Sequence, residues 1–463
     1  MVRFGGICME TVWLIDATSY KKEIDQELLA VKMDYFKIKS YVRMQRIGHH
    51  VLPVQRTFST GLLRIATLLH RMGYEVKYYH LNDFMEQNIV ERAKEVPDIV
   101  AFGCVCPTIP LCSLWAEKIK SRCAKVITVV GGAHVNVALK KTMEKYPYFD
   151  RYSFGYDKEA AGRVVHRRIN EEIADMPYVD YSILPYSLNE YDMNIFTTLG
   201  CPFRCAYCQD GQMPYLEYQL DGGLGAIQGQ LKPGKLVHFF DSTLGYCESR
   251  LLEVCKVLKG LNHKFVLSCD IRAEFLTEKT VEALVAAGFK EIRIGLETVD
   301  HKVLEKNSRK VLPDTVMDKI KLVRENSELY LTLYTVSGLP GFTQETYRRN
   351  QEIYQHLLET RSVDEIKNAQ YVPYPRDGID LADKGVIWKD EKWENYDRQS
   401  YPVYETKELS RQQIWEGFLG TARTINRAWL KGWGYDSVDE LGNGELYPEY
   451  IVGSYLKEDA RKV

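Results

Sequence analysis

Short apolar runs alternate with helical patterns through the first third of the chain. "TVWLID" reads as a strand, and the residues after it keep no regular period. "TGLLRIATLLHRMG" sets apolar residues at helical spacing and stops at Gly73. "YEVKYYHL" alternates with the period of a strand, while "PDIVAFGC" and "KVITVVGGA" are continuous apolar runs suited to buried parallel strands. "LWAEKIKSR" between those two fits a crossover helix. This βαβ repetition predicts a doubly wound, Rossmann-like α/β domain over residues 1–165. Ligands of such sheets bind beyond the strand C-termini, where "GCVCPT" and "GGAHVN" lie. Around "EEIADMPYVDYSILPYS" the period fails and prolines appear, so residues 166–190 read as a linker.

The pattern then resumes. Six strands begin in "MNIFTTLG", "KLVHFFDS", "KFVLSCDIR", "EIRIGLET", "LYLTLYTVSGLPG" and "IKNAQYVPYP", and each but the last is followed by a helical pattern. A partial (β/α)6 TIM-type barrel over 191–375 is expected, with chemistry at the strand C-termini. Residues 376–463 are aromatic-rich and partly helical, and are expected to form a C-terminal region capping the substrate.

Composition narrows the classes. The 463 residues are 45% hydrophobic and 27% charged, as in a folded chain of two or three domains. A net charge of −2 without a basic cluster argues against nucleic acid as partner. No apolar run is long enough for a bilayer, so no membrane partner is expected. Glu10 and Asp16 interrupt the first apolar stretch, which argues against a signal peptide, and a cytoplasmic location is expected. Eleven cysteines in such a chain do not suggest a disulfide framework. Most are scattered in apolar surroundings and read as small buried hydrophobes. None follows Cys269, which excludes a second cysteine-ligated cluster in the last third.

Three cysteines stand apart. "TTLGCPFRCAYCQDG" carries Cys201, Cys205 and Cys208 on one loop at the end of the first barrel strand. Structural zinc wants four ligands, and no nearby Cys or His supplies a fourth; His238 is distant and lies in an apolar strand. Three cysteines on a cubane iron–sulfur cluster leave one iron with an open position.

"CPFRCAYC", with Tyr207 before the last cysteine, resembles the signature of the radical S-adenosylmethionine (radical SAM) enzymes. The resemblance covers about residues 190–375. It implies a [4Fe–4S] cluster on Cys201, Cys205 and Cys208 whose open iron chelates S-adenosylmethionine, and reductive cleavage to a 5′-deoxyadenosyl radical. It also implies roles for other residues. Asp241, Ser242 and Thr243 in "HFFDSTLG" would meet the methionine ammonium, in place of the commoner Gly-Gly-Glu. Arg272 would take the carboxylate. Glu297 of "GLET" would meet the ribose or methionine end, and Ser337, Gly338 and Leu339 of "SGLPG" would let backbone approach the adenine. A one-electron reductant such as flavodoxin or ferredoxin is the implied partner, with room for a downstream reductase.

The first third resembles the cobalamin-binding domain that precedes the barrel in one radical SAM subgroup. Gly131 and Gly132 would let a flat corrin approach the backbone. No Asp-x-His-x-x-Gly motif is present, "GYDKE" replaces the usual Gly-Glu-Gly-Glu, and "YPRDG" replaces the usual Pro-Gly-Thr. Cobalamin binding therefore stays open at the level of sequence. Two reactions on a small polar substrate follow. One is radical dehydration of an amino sugar or diol, as in the similarly compact radical SAM diol dehydratases of apramycin-type aminoglycoside biosynthesis. There Asp241, Glu274, Arg376 and Asp377 would hold the sugar, and Tyr215 or Tyr218 would donate a proton or hydrogen atom. The alternative is cobalamin-dependent C-methylation. A third class, a non-catalytic cluster or corrin carrier, has no use for Arg272, Glu297 and the SGLPG segment. The dehydratase reading is placed first.

Overall fold

Alternating apolar strands and amphipathic helices build two parallel sheets. A computed structural model describes residues 10–18, 24–48, 56–169, 179–218, 230–261, 263–398 and 400–441, and the backbone alone of 3–4 and 7–8.

The first sheet contains β1 (Thr11–Ala17), β2 (Glu75–His80), β3 (Ile99–Cys104), β4 (Ile127–Gly131) and β5 (Arg151–Tyr152). Its order is β2-β1-β3-β4-β5, parallel throughout. Order reverses between β1 and β3, which makes the switch point where such sheets open a crevice. Every residue of β3 is buried, as a strand covered on both faces requires. The sequence-predicted helices appear as α2 (Thr60–Arg71) and α3 (Ile109–Arg122). α4 (Asp157–Val165) closes this unit.

The second sheet takes β6 (Met193–Ile195), β7 (Leu236–Phe239), β8 (Val266–Ile271), β9 (Phe289–Glu297), β10 (Tyr330–Ser337) and β11 (Glu365–Gln370) in strict sequence order. All pairings are parallel, and β6 and β11 remain as edges, so the barrel is partial. The intervening helices are α5 (Glu248–Gly260), α6 (Glu278–Ala286), α7 (Pro313–Asn326) and α8 (Gln344–Glu359). Thr277 caps α6 by accepting from the Thr280 N–H.

The stretch that showed no period after β1 contains a 22-residue helix, α1 (Gln26–Ile47). Its buried face carries charge. Arg43 reaches Glu291 of β9 at 2.6 Å, and Lys39 reaches Glu365 of β11 at 2.7 Å. Both carboxylates are fully buried, near the starts of their strands. α1 therefore stoppers the lower end of the barrel with ion pairs set among buried Ile38 and Val42, and this mixing of charge into the buried face blurs its amphipathic pattern. The C-terminal helix α9 (Arg411–Gly432) packs on α8 and α1, beside the barrel.

Of the expected linker, residues 170–178 lie outside the described residues. Val179, Tyr181, Leu184 and Leu188 after them belong to the apolar core that joins the two sheets. None of the described helices is long and apolar enough to cross a membrane.

Candidate active site

The loop after β6 carries the three cysteines. Cys205 is buried; Cys201 and Cys208 are half-buried. Asp241, at the end of β7, fixes the base of this loop. It accepts from the N–H and hydroxyl of both Thr197 and Thr198 at 2.6–2.9 Å. Burial nevertheless raises its pKa to about 6. Asp241 is 1% exposed, so its acceptors are spent on the strand end rather than open to an ammonium.

Arg376 holds the loop from the far side. Its guanidinium donates to the carbonyls of Ala206 at 3.0 Å, Tyr207 at 3.2 Å and Cys208 at 3.4 Å. Asn307 accepts the Ala206 N–H at its carbonyl. Arg309 donates toward the Cys205 sulfur and lies 3.8 Å from Glu297. Glu297 ends β9 in a left-handed conformation, φ 66°, uncommon for a residue with a side chain. The Tyr207 hydroxyl donates to Glu297. Burial raises the Glu297 carboxyl, opposed by Arg309, Tyr207 and Arg272.

Arg272 lies over the Phe203 ring, 3.6 Å from its centroid, and pairs with Glu274 at 2.5 Å. Ser242 donates to Asp210 of the cysteine loop at 2.8 Å. Thr243 accepts the Arg272 N–H at 3.1 Å. Ser242, Thr243, Arg272 and Glu297 thus lie around the loop that carries Tyr207. The SGLPG segment is placed differently. Tyr404 donates to the Gly338 carbonyl at 2.6 Å, and a side chain on Gly338, φ 79°, would collide with that hydroxyl. Ser337 donates to Asn368, and Leu339 is fully buried. Its observed close approach is therefore to Tyr404.

The residues fit a cluster by their donor chemistry. Among the described residues no three His, Cys, Asp or Glu side chains gather closely enough for one metal ion. A cubane sets each thiolate on a different iron, so spread thiols suit it and disfavour mononuclear zinc. Burial pushes the Cys208 thiol up to about 12, so loading iron must displace its proton. Around the loop, Arg309 Nε, Arg376 Nε and Glu274 Oε2 are buried without partners. His238 is elsewhere, between Ser268 at 2.8 Å and Asp270 at 3.6 Å inside the barrel.

A second feature adjoins this one. A cleft lined by residues of both sheets opens between them, in the manner of small-molecule sites. One wall is Ser59–Leu62, Gly103, Gly131–Ala133 and Gly155; the other includes Ile195–Thr197 and Leu199, next to the cysteine loop. Gly132 has φ 109°, and any Cβ there would strike the Cys104 backbone. Small residues along one wall suit a flat ligand. No histidine lines the cleft among the described residues.

"GYDKE" forms part of that wall. Asp157 receives both Arg64 Nε and Nη2, at 2.7 and 2.9 Å, and the Tyr218 hydroxyl at 3.1 Å. Tyr218 is thus fixed in the cleft wall with its hydroxyl spent. Tyr215 is half-buried against Tyr246 and donates to Glu217. Asp377 accepts the Lys140 and Lys141 N–H groups. Glu274 and Arg376 are engaged as described, so the sugar-binding set expected from sequence is not assembled.

Residues 54–165 match the B12 binding domain family, and residues 195–353 match the radical SAM superfamily. The chain is a B12-binding radical SAM enzyme. Its cofactors are a [4Fe–4S] cluster, S-adenosylmethionine and cobalamin. This radical SAM enzyme is 20% identical over 403 residues to an uncharacterized methyltransferase, PH0819, of Pyrococcus horikoshii, covering 76% of this chain and 84% of that one. It is 20% identical over 404 residues to the anaerobic magnesium-protoporphyrin IX monomethyl ester cyclase of Rubrivivax gelatinosus, covering 76% and 70%. Among solved structures it resembles the radical SAM methyltransferase TsrM of Kitasatospora setae with tryptophan and a SAM analogue bound. That match has a TM-score of 0.61 at 14% identity and covers 90% of this chain and 89% of that one. The same enzyme is also known with cobalamin and a [4Fe–4S] cluster bound.

Sequence reasoning missed Arg309 and Asn307, and gave Arg376 to the substrate. Each reaches the cysteine loop only in the folded barrel, and no local motif marks it.

Proposed function

We propose that this enzyme is a cobalamin-dependent radical SAM methyltransferase acting on a small polar molecule. The observation that carries the reading is the cleft, whose wall runs from the small residues of the first sheet to the strand end that bears the cysteine loop. Cys201, Cys205 and Cys208 would hold the cluster; Ser242, Thr243, Arg272 and Glu297 would grip S-adenosylmethionine; Gly131, Gly132 and Gly155 would underlie the corrin. When bound, these groups supply an electron source, the methyl donor and radical precursor, and a methyl carrier.

The chain's own residues do the positioning. Arg376 and Asp241 hold the loop from opposite sides, and Arg64, Asp157 and Tyr218 stiffen the cleft wall. The departures that favoured dehydration lose their force here. "GYDKE" lines the cleft instead of closing it, and "YPRDG" supplies the Arg376 brace. Methyl transfer also matches the similarity to the uncharacterized methyltransferase PH0819 and to the methyltransferase TsrM.

Protein reconstituted anaerobically with iron, sulfide and hydroxocobalamin, then reduced, should form 5′-deoxyadenosine and S-adenosylhomocysteine and add one methyl mass to substrate in a cell extract. The Cys201→Ala/Cys205→Ala/Cys208→Ala variant should do neither. A substrate that loses water without added cobalamin would restore the dehydratase reading.

A further inference from the structure

The barrel lumen contains charges that neither the cysteine loop nor the cleft uses. Lys39, Arg43, Lys235, Arg293 and Lys367 face Asp192, Asp270, Glu291 and Glu365, so five cations meet four carboxylates. His238 adds no charge near neutral pH, because burial and Arg293 lower its pKa. Glu291 takes Arg43 and Arg293, and Glu365 takes Lys39. Asp192 and Lys235 influence each other at the lower rim.

These pairings leave Lys367 facing Asp270, and the one surplus positive charge belongs to the lumen as a whole. Among the described residues no hydrogen bond or ion pair engages the Lys367 ammonium, which stands 5.3 Å from the Tyr334 ring centroid. It is ringed by Lys39, Arg293, Glu365 and Asp270, yet its surface stays exposed. Burial, then Lys39 and Arg293, lowers its pKa to about 8. The register puts it level with Tyr334 and Gly295, just below Glu297. Phe196 and Phe240, just past the ends of β6 and β7, stand 5.5 Å apart, and Phe240 is half exposed. Phe196 also lines the cleft. A ligand in the lumen would meet one net positive charge and this aromatic surface.

We propose that the substrate is a small carboxylic acid, seated in the lumen with its carboxylate on Lys367 and its body toward Phe196 and Phe240. A single spare positive charge matches a monoanion and undercompensates a phosphate dianion. The inference rests on the proposed function only in placing the reaction above this lumen.

The test is binding without turnover. Ligand-observed NMR on the reconstituted holoenzyme would screen the amino acids, their 2-oxo analogues and aryl-propionates, each beside its neutral amide, with phenyl phosphate as the dianion arm. At least one acid should bind where its amide does not. Lys367→Met should weaken that acid about tenfold or more, and Lys367→Arg should restore it, which excludes a folding defect. Affinity should fall as pH rises through about 8, where the ammonium loses its proton. Equal binding of acids and amides, unchanged binding in Lys367→Met, preference for the phosphate, or no acid bound would each overturn the proposal. A failed methyl-transfer assay with intact acid binding would overturn the proposed function and leave this inference standing.

Discussion

Arg376 shows what one side chain contributes to a loop of cysteines. It is 2% exposed and donates to three successive carbonyls, holding the backbone between Cys205 and Cys208 in one shape. Removing it leaves buried acceptors unpaired, and hydrogen bonds to charged groups each contribute about 1.5–3 kcal/mol. Arg376→Met should therefore destabilise the fold by about 2 kcal/mol in urea unfolding. Iron and sulfide per reconstituted chain should fall at least by half, with Arg376→Lys intermediate. The cysteine loop itself was legible, because its ligands are adjacent in sequence. Arg376 and Ala206 lie 170 positions apart, and only folding puts them together. Asp241 was likewise read by its chemistry as a free acceptor, and the structure gives all its bonds to Thr197 and Thr198.

Elements were most legible where burial follows a simple period. All six barrel strands, and the helices between β7 and β11, stand where their apolar patterns lie, because each packs one predictable face. α1 escaped because charged residues share its buried face with Ile38 and Val42. Burial opposes ionisation of Glu291, yet Arg293, Arg43 and Lys39 hold its carboxyl well below the usual range. Arg43→Met removes one of its partners and leaves Arg293 in place. Breaking a buried pair costs ~3–5 kcal/mol, and the retained Arg293 sets the expectation near the lower end, about 3 kcal/mol by urea unfolding. A loss under 1 kcal/mol would show that α1 adds little to the barrel.

For the whole molecule, the decisive relation is between two sheets that sequence could only place in order. Their junction creates the cleft, and no stretch of sequence shows whether a cleft is open. A ligand that binds only the folded state stabilises it, by about 2.7 kcal/mol at a hundredfold excess over its dissociation constant. Hydroxocobalamin should therefore raise the midpoint of thermal unfolding by several degrees, and Gly132→Ala, which drives a Cβ into the Cys104 backbone and distorts the cleft wall at φ 109°, should abolish the rise. An equal rise in the variant would move the corrin away from this wall.

The Arg376 brace also imposes an order in time. A ribosome completes the cysteine loop long before it reaches residue 376, and five barrel strands are made in between. Until then the three thiols belong to a loop held from one side. Metal loading is in this sense a late step of biogenesis, one that waits for the barrel to close, and a chain truncated before Arg376 would carry every ligand without the frame that orders them.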